Sequence, residues 1–318
     1  MNLRILLDIG LLVVGFVVLI KSAELFVNAS VDIAKRLKIS NLVIGLTVVA
    51  MGTSAPELII SVSAAMRGSG DLAVANVVGS NIFNLLFIVG FCSIIYPIGV
   101  NLKEIARDYW VSVAAAVFLF GVVFIFSDYI PRFAALIILT GFASYMVTVV
   151  LQARKNRIED SETDQSGAKL KSLPMCIFLA LLGAGLIVAG GQLTVLSAVG
   201  IARTVGITER VIGLTIIAMG TSLPELVTTI IACRKKEGEF AIGFIIGSSI
   251  FNIMFILGLA GLITPLAIES GVLFDISTLV LGTLLFFVFA ITGKKVSRIE
   301  GLIMFMMYAV YMFFVFWL

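Results

Sequence analysis

Apolar residues run along this chain in long unbroken stretches, separated by short polar or charged breaks, with no period-two alternation. Runs of about 20 apolar residues are what a helix needs to cross hydrocarbon. Continuous rather than alternating runs predict helices and not the strands of a barrel. Ten stretches qualify: 5–31, 42–66, 72–96, 108–127, 132–152, 174–202, 211–233, 240–265, 272–292 and 298–317. The longest polar break, Arg154 to Lys171, falls between the fifth and sixth and is too short to be a domain. Its acidic residues Glu159, Asp160, Glu162 and Asp164 lack the spacing and glycine of a calcium-binding loop, so it reads as a solvated linker.

Composition narrows the class. Sixty per cent of residues are hydrophobic, 13% are charged and mean hydropathy is +1.17, which excludes a soluble domain of this size. The absence of histidine removes the usual transition-metal ligand and neutral-pH proton shuttle. Cys92, Cys176 and Cys233 lie far apart and read as small apolar packers. The N-terminal run carries only Arg4 ahead of it and continues past Lys21 and Glu24, so it is read as the first span and not a cleaved leader. Sixteen of the 22 basic residues fall in the loops after spans one, three, five, seven and nine, and five on the opposite side. That bias predicts cytoplasmic odd-numbered loops, a cytoplasmic linker and both termini outside the cytoplasm.

The chain is also a duplication. Residues 45–57 read GLTVVAMGTSAPE and 213–225 read GLTIIAMGTSLPE, identical at ten of thirteen positions. GSNIFN at 79–84 and GSSIFN at 247–252 follow at the same offset of 168 residues. The copies lie on spans two and seven, five crossings apart. An odd number of crossings makes the repeat inverted, a plan of secondary transporters with a site at the midplane. The predicted fold is an all-α membrane protein of ten transmembrane helices: a first five-helix repeat at 1–153, a cytoplasmic linker at 154–172 and a second repeat at 173–318, with discontinuous helices at the site.

Glu57 and Glu225 stand in apolar runs with no basic residue between Lys38 and Arg67 or between Arg210 and Arg234. A carboxylate at membrane depth costs several kcal/mol unless something neutralises it. A proton, a distant side chain or a bound cation would serve. Thr53 and Ser54 precede Glu57 by four and three residues, and Thr221 and Ser222 precede Glu225 in the same way, which would place each set on one helix face. Ser80 and Asn84, and Ser248 and Asn252, are also four apart. Such oxygen-donor sets favour a hard cation, calcium or sodium. Pro56 and Pro224 remove the N–H partners of the Gly52 and Gly220 carbonyls, which predicts broken helices. Two carboxylates meeting in a dry site would repel unless loaded, which predicts coupled antiport and not leak.

The paired G-T-S-x-P-E and G-S-x-x-x-N motifs resemble the alpha repeats of the calcium/cation antiporter superfamily, in its sodium/calcium exchanger branch. The resemblance spans essentially the whole chain. It implies that Glu57 and Glu225 bind calcium with Thr53, Thr221 and the carbonyls of Ala50 and Ala218. It implies sodium sites at Ser54, Ser80, Ser222 and Ser248, with Asn84 and Asn252 lining the central position. It further implies exchange of three sodium ions for one calcium, with spans one and six sliding across a fixed core of eight helices. Some relatives carry Asp where this chain has Asn252, so potassium independence is expected. The expected partners are calcium, sodium and membrane lipid, with no cofactor and no nucleic acid, in a cell-membrane protein functional as a monomer. The proton-coupled branch typically carries G-N-x-x-E instead. Proton/calcium antiport, an intramembrane enzyme and a structural protein with a trapped ion are the alternatives. Gly183, Gly185, Gly190 and Gly191 in span six suit close helix contact, and Lys21 with Glu24 suits a local pair.

Overall fold

The computed structural model describes residues 3–159, 172–207, 216, 218–268 and 271–317. The chain runs through α1 (Leu3–Leu37), α2 (Asn41–Ile44), a π-helical stretch (Gly45–Val49), α3 (Ala50–Thr53), α4 (Ala55–Met66) and α5 (Gly70–Ile82). A second π stretch (Phe83–Ile88), α6 (Val89–Ile95), β1 (Ile98–Gly99), α7 (Leu102–Phe126), β2 (Tyr129–Ile130) and α8 (Arg132–Glu159) complete the first half. The second half contains α9 (Leu173–Thr204), α10 (Ala218–Gly220), α11 (Leu223–Arg234), α12 (Gly238–Ile250) and a π stretch (Phe251–Leu257). It ends with α13 (Gly258–Ile263), β3 (Leu266–Ala267), α14 (Val272–Gly293), β4 (Lys295–Val296) and α15 (Arg298–Trp317).

Among the described residues, eight helices are long and apolar enough to cross a membrane, and the pair Asn41–Thr53 and Ala55–Met66, bent by 51°, makes a ninth. These nine coincide with nine of the ten expected spans. Of the seventh, α10 and α11 are described; its start at 211–215 and 217 lies outside the described residues, as do residues 160–171 of the linker with most of its acidic cluster. Lys103 and Arg107, expected in a loop, sit in the first turns of α7.

Two short strand pairs tie the halves together. β1 pairs antiparallel with β4, and β2 with β3. Two further backbone bonds repeat the relation: Val100 N–H donates to the Lys294 carbonyl at 2.8 Å, and Ile268 N–H to the Asp128 carbonyl at 2.9 Å. By the 168-residue offset, β1 corresponds to β3. They stand at opposite ends of α7, which at 25 residues is about 37 Å long. Equivalent parts of the two halves therefore face opposite ways along that helix.

α12 is buried nearly all round, with Phe240, Phe244, Ile245 and Ile250 enclosed. It packs backbone-to-backbone on the broken helix of the first half: a Cβ added at Gly247 would lie 2.6 Å from Leu46 Cα, and one at Gly243 would lie 2.5 Å from the Leu42 carbonyl oxygen. α1 and α9 form a second body, packed on each other along their length. A Cβ at Gly190 would lie 2.9 Å from Leu19 N, and one at Gly183 3.1 Å from Phe26 Cα. Gly191 faces Pro224 instead, and Gly185 meets nothing. The far faces of this pair expose Leu7, Val13, Val17, Leu181 and Leu196, as a lipid-facing surface would. Lys21 and Glu24 pair at 3.2 Å on that outer surface. The three cysteines are buried and form no disulfide among the described residues.

Candidate ion-binding site

Each G-T-S-x-P-E motif breaks its helix at the serine. Ser54 has φ −78° and ψ 13°, Ser222 φ −93° and ψ 9°, and a proline opens the helix that follows. Proline at a helix start loses nothing, because its missing N–H would have no partner there. Glu57 and Glu225 fall in the first turns of α4 and α11. The positive end of each helix thus points at its own carboxylate. The break corrects the expectation of a shared helix face: Thr53, Ser54 and Glu57 straddle an interruption.

That interruption sends each serine across to the other half. Ser54 Oγ donates to Glu225 Oε1 at 3.3 Å, and Ser222 Oγ donates to Glu57 Oε1 at 3.4 Å. Both carboxylates are 1% exposed. Thr53 Oγ donates to the carbonyls of Val49 at 3.1 Å and Ala50 at 3.4 Å, which leaves lone pairs on its oxygen. The Ala50 carbonyl also accepts from Ser54 N–H at 3.1 Å, whereas Ser222 N–H goes to Met219 at 3.2 Å, one residue later than Ala218. The two copies therefore differ in which carbonyl the break engages.

The elements that carry the second motif pair pack against α4 and α11. Ser80 lies in the last turn of α5 and Ser248 in the last turn of α12, and both are buried. Asn84 and Asn252 each lie in the second position of a π-helical stretch, where the helix widens. Among the described residues, Glu57 Oε2, Glu225 Oε2, Thr221 Oγ, Ser248 Oγ, Asn84 Oδ1 and Asn252 Oδ1 are buried without a hydrogen-bond partner. Buried polar atoms are rarely left so. All six are oxygens of the two motif sets, the donor type a hard cation takes; Asp8, Ser30, Ser93, Tyr145 and Thr228 carry orphan oxygens outside the motifs. No cluster of three or more His, Cys, Asp or Glu residues that could hold a metal occurs among the described residues. A cavity of about 330 Å³ opens beside it, lined by Pro56, Gln192, Thr221 and Pro224 among others.

Some polar residues around the site were not expected from the sequence. Asn76 Nδ2 donates to Ser61 Oγ at 2.9 Å and to the Glu57 carbonyl at 3.4 Å. Thr229, which corresponds to Ser61, donates to the Glu225 carbonyl at 2.8 Å. Asn81 accepts from Asn252 Nδ2 at 3.1 Å. The repeat comparison hides Asn76 and Asn81, because their counterparts are Phe244 and Ser249.

The profile of the family described as sodium/calcium exchanger protein matches residues 7–151 and 175–317. The chain belongs to the sodium/calcium exchanger family. This exchanger-family chain is 37% identical over 311 residues to the CaxA protein of Alkalimonas amylolytica, covering 95% of this chain and 97% of that one. It is 32% identical over 345 residues to the sodium/calcium exchanger MaX1 of Methanosarcina acetivorans, covering 97% and 98%. A solved structure of the sodium-calcium exchanger NCX_Mj superimposes with a TM-score of 0.83 at 28% identity, covering 96% of this chain and 97% of that one. The exchanger-family chain is thus a multi-pass, all-helical membrane protein of a transporter family.

Proposed function

We propose that this protein is a secondary antiporter that exchanges sodium for calcium across a cell membrane by alternating access. The observation that carries the reading is the buried Glu57–Glu225 arrangement, contributed by opposite halves and cross-bonded by Ser222 and Ser54. Neither carboxylate takes part in an ion pair among the described residues; Lys21–Glu24 and Arg107–Asp108 are pairs found elsewhere. Two carboxylates in a site of low dielectric repel each other and have lost their hydration. A divalent cation or several monovalent ones offset that charge. A loaded protein can therefore change its facing, while an empty one is held back, and exchange follows in place of leak.

In this reading Glu57, Glu225, Thr53, Thr221 and the carbonyls of Ala50 and Ala218 bind calcium. Ser54, Ser80, Ser222 and Ser248 complete flanking sodium sites, and Asn84 and Asn252 line the centre. Residues 1–153 and 173–318 act as inverted five-helix repeats with a tenth span at 211–233. α1 and α9 move as the sliding body across the rest, and the 330 Å³ cavity serves as an access route on one side. The close contact at Gly190 and Gly183 supports movement of α1 and α9 together. Both termini lie outside the cytoplasm, the protein works as a monomer, and Asn at 252 makes potassium unnecessary.

The test is radiolabelled calcium uptake into proteoliposomes loaded with sodium, at equal pH on both sides. Uptake driven by the sodium gradient is expected, with loss of exchange in Glu57→Gln and in Glu225→Gln. Uptake that needs a pH gradient and ignores sodium would replace sodium with protons in this reading. Full activity in either variant removes that carboxylate from the site.

A further inference from the structure

The geometry points to Asn81 as a positioning residue that turns the amide of Asn252 so that its carbonyl oxygen faces the ion site, and that selects an amide over a carboxylate there. This rests on the reading of Asn252 as a residue lining the site. Asn81 lies in the last turn of α5 and Asn252 in the π stretch after α12, and both side chains are fully buried. Asn81 Nδ2 donates to the backbone carbonyl of Ser249 at 3.4 Å, and Asn252 Nδ2 donates to Asn81 Oδ1 at 3.1 Å.

The two ends of an asparagine amide look alike in shape, so which end points where must come from the partners. Here one partner decides the whole chain. A backbone carbonyl can only accept, so the Asn81 atom facing Ser249 is the NH2 group. Its oxygen must then face Asn252, and the Asn252 atom facing that oxygen must in turn be NH2. Asn252 Oδ1 is therefore left on the other side, and it is one of the buried oxygens without a hydrogen-bond partner among the described residues. A carbonyl oxygen freed in this way suits a cation.

The device is not duplicated. Ser249 occupies the position that corresponds to Asn81, and its hydroxyl donates to the Ile245 carbonyl of its own helix at 3.0 Å, not toward Asn84. The lock therefore serves position 252 alone. A carboxylate there would set an acceptor against Asn81 Oδ1. Relief would require Asn81 to turn over and give up the Ser249 carbonyl.

The test is equilibrium binding of radiolabelled calcium to purified full-length protein, which reads the site even where transport is lost. Asn81→Ala should weaken binding about five- to tenfold, the loss of one buried hydrogen bond's orienting effect. In an Asn252→Ala background it should change nothing further. In an Asn252→Asp background its sign should reverse, with binding strengthened, because the opposed acceptor is gone. Asn81→Ser, with the residue found at the corresponding position 249, repeats all three comparisons if the alanine variant does not fold. The same weakening in every background would mean that Asn81 only supports the packing, and would overturn the assignment. Unchanged binding in Asn252→Ala alone would remove Asn252 from the site, and the role of Asn81 with it. Calcium binding that survives Glu57→Gln would instead locate the failure in the proposed function.

Discussion

Ser54 donates its hydroxyl hydrogen to Glu225, 171 residues away and in the other half of the chain, at 3.3 Å. Its counterpart Ser222 does the same for Glu57 at 3.4 Å, so each carboxylate takes its serine partner from the other half. A hydrogen bond to a charged group contributes about 1.5 to 3 kcal/mol when short, and less at these lengths. Ser54→Ala and Ser222→Ala are each expected to raise the ion KM about fivefold, by nearly equal factors, as about 1 kcal/mol implies. Sodium-gradient-driven calcium uptake over a range of ion concentrations measures this. A large effect of one serine beside a silent other would contradict the symmetric arrangement.

Ion binding should also appear as stability. A ligand that binds the folded state alone stabilises it by RT ln(1 + [L]/Kd), about 2.7 kcal/mol at a hundred times Kd. Thermal unfolding of the detergent-solubilised protein should shift upward by several degrees when calcium is added, and chelation should reverse the shift. Glu57→Gln should lose the calcium response. Its own ligand-free stability should rise, because one of two opposed buried carboxylates has gone. A calcium shift that persists in Glu57→Gln would place the stabilising ion elsewhere.

What the sequence disclosed and what it hid follow the physics of each signal. Long apolar runs are unmistakable, so nine of the spans coincide with observed helices. The duplicated motifs pointed to Glu57 and Glu225 because an unpaired carboxylate in an apolar run is costly wherever it lies. The direction of Ser54 was hidden. Spacing of three residues suggests one helix face only while the helix continues, and Pro56 ends that continuity. The π stretches at Asn84 and Asn252 leave no periodic trace, since one extra residue per turn barely alters a run that is apolar on all sides. Strands of two residues, such as β1 and β4, are too short to show alternation. Asn81 lies inside GSNIFN, but its counterpart is Ser249, so the duplication does not single it out.

The surface pair Lys21–Glu24 gives a contrasting expectation. The side chains are 72% and 38% exposed on the outer surface of a spanning helix, so each charge neutralises the other where a lone one would be costly. Lys21→Ala should lower the unfolding temperature, because Glu24 loses its partner, yet leave sodium-driven calcium uptake per folded molecule close to that of the unaltered protein. A substantial loss of transport, with folding intact, would bring this charge pair into the ion path.

Gly190 offers the sharpest test of how α1 and α9 move. A methyl group there would lie 2.9 Å from Leu19 N and 3.2 Å from the Gly15 carbonyl oxygen, and both are backbone atoms that cannot swing aside. Gly185, five residues earlier on α9, has nothing within 4 Å of the same added atom. Gly190→Val must therefore pry the two helices apart, while Gly185→Ala meets no obstruction. Overpacking of this kind costs about 1 to 3 kcal/mol. If α1 and α9 slide as one body, Gly190→Val should reduce the maximal exchange rate well beyond its effect on equilibrium calcium binding, because none of the proposed ligands stands on α1 or α9. Gly185→Ala should leave both unchanged. Equal losses of binding and rate in Gly190→Val would mean that the contact holds the site together rather than coupling the moving pair.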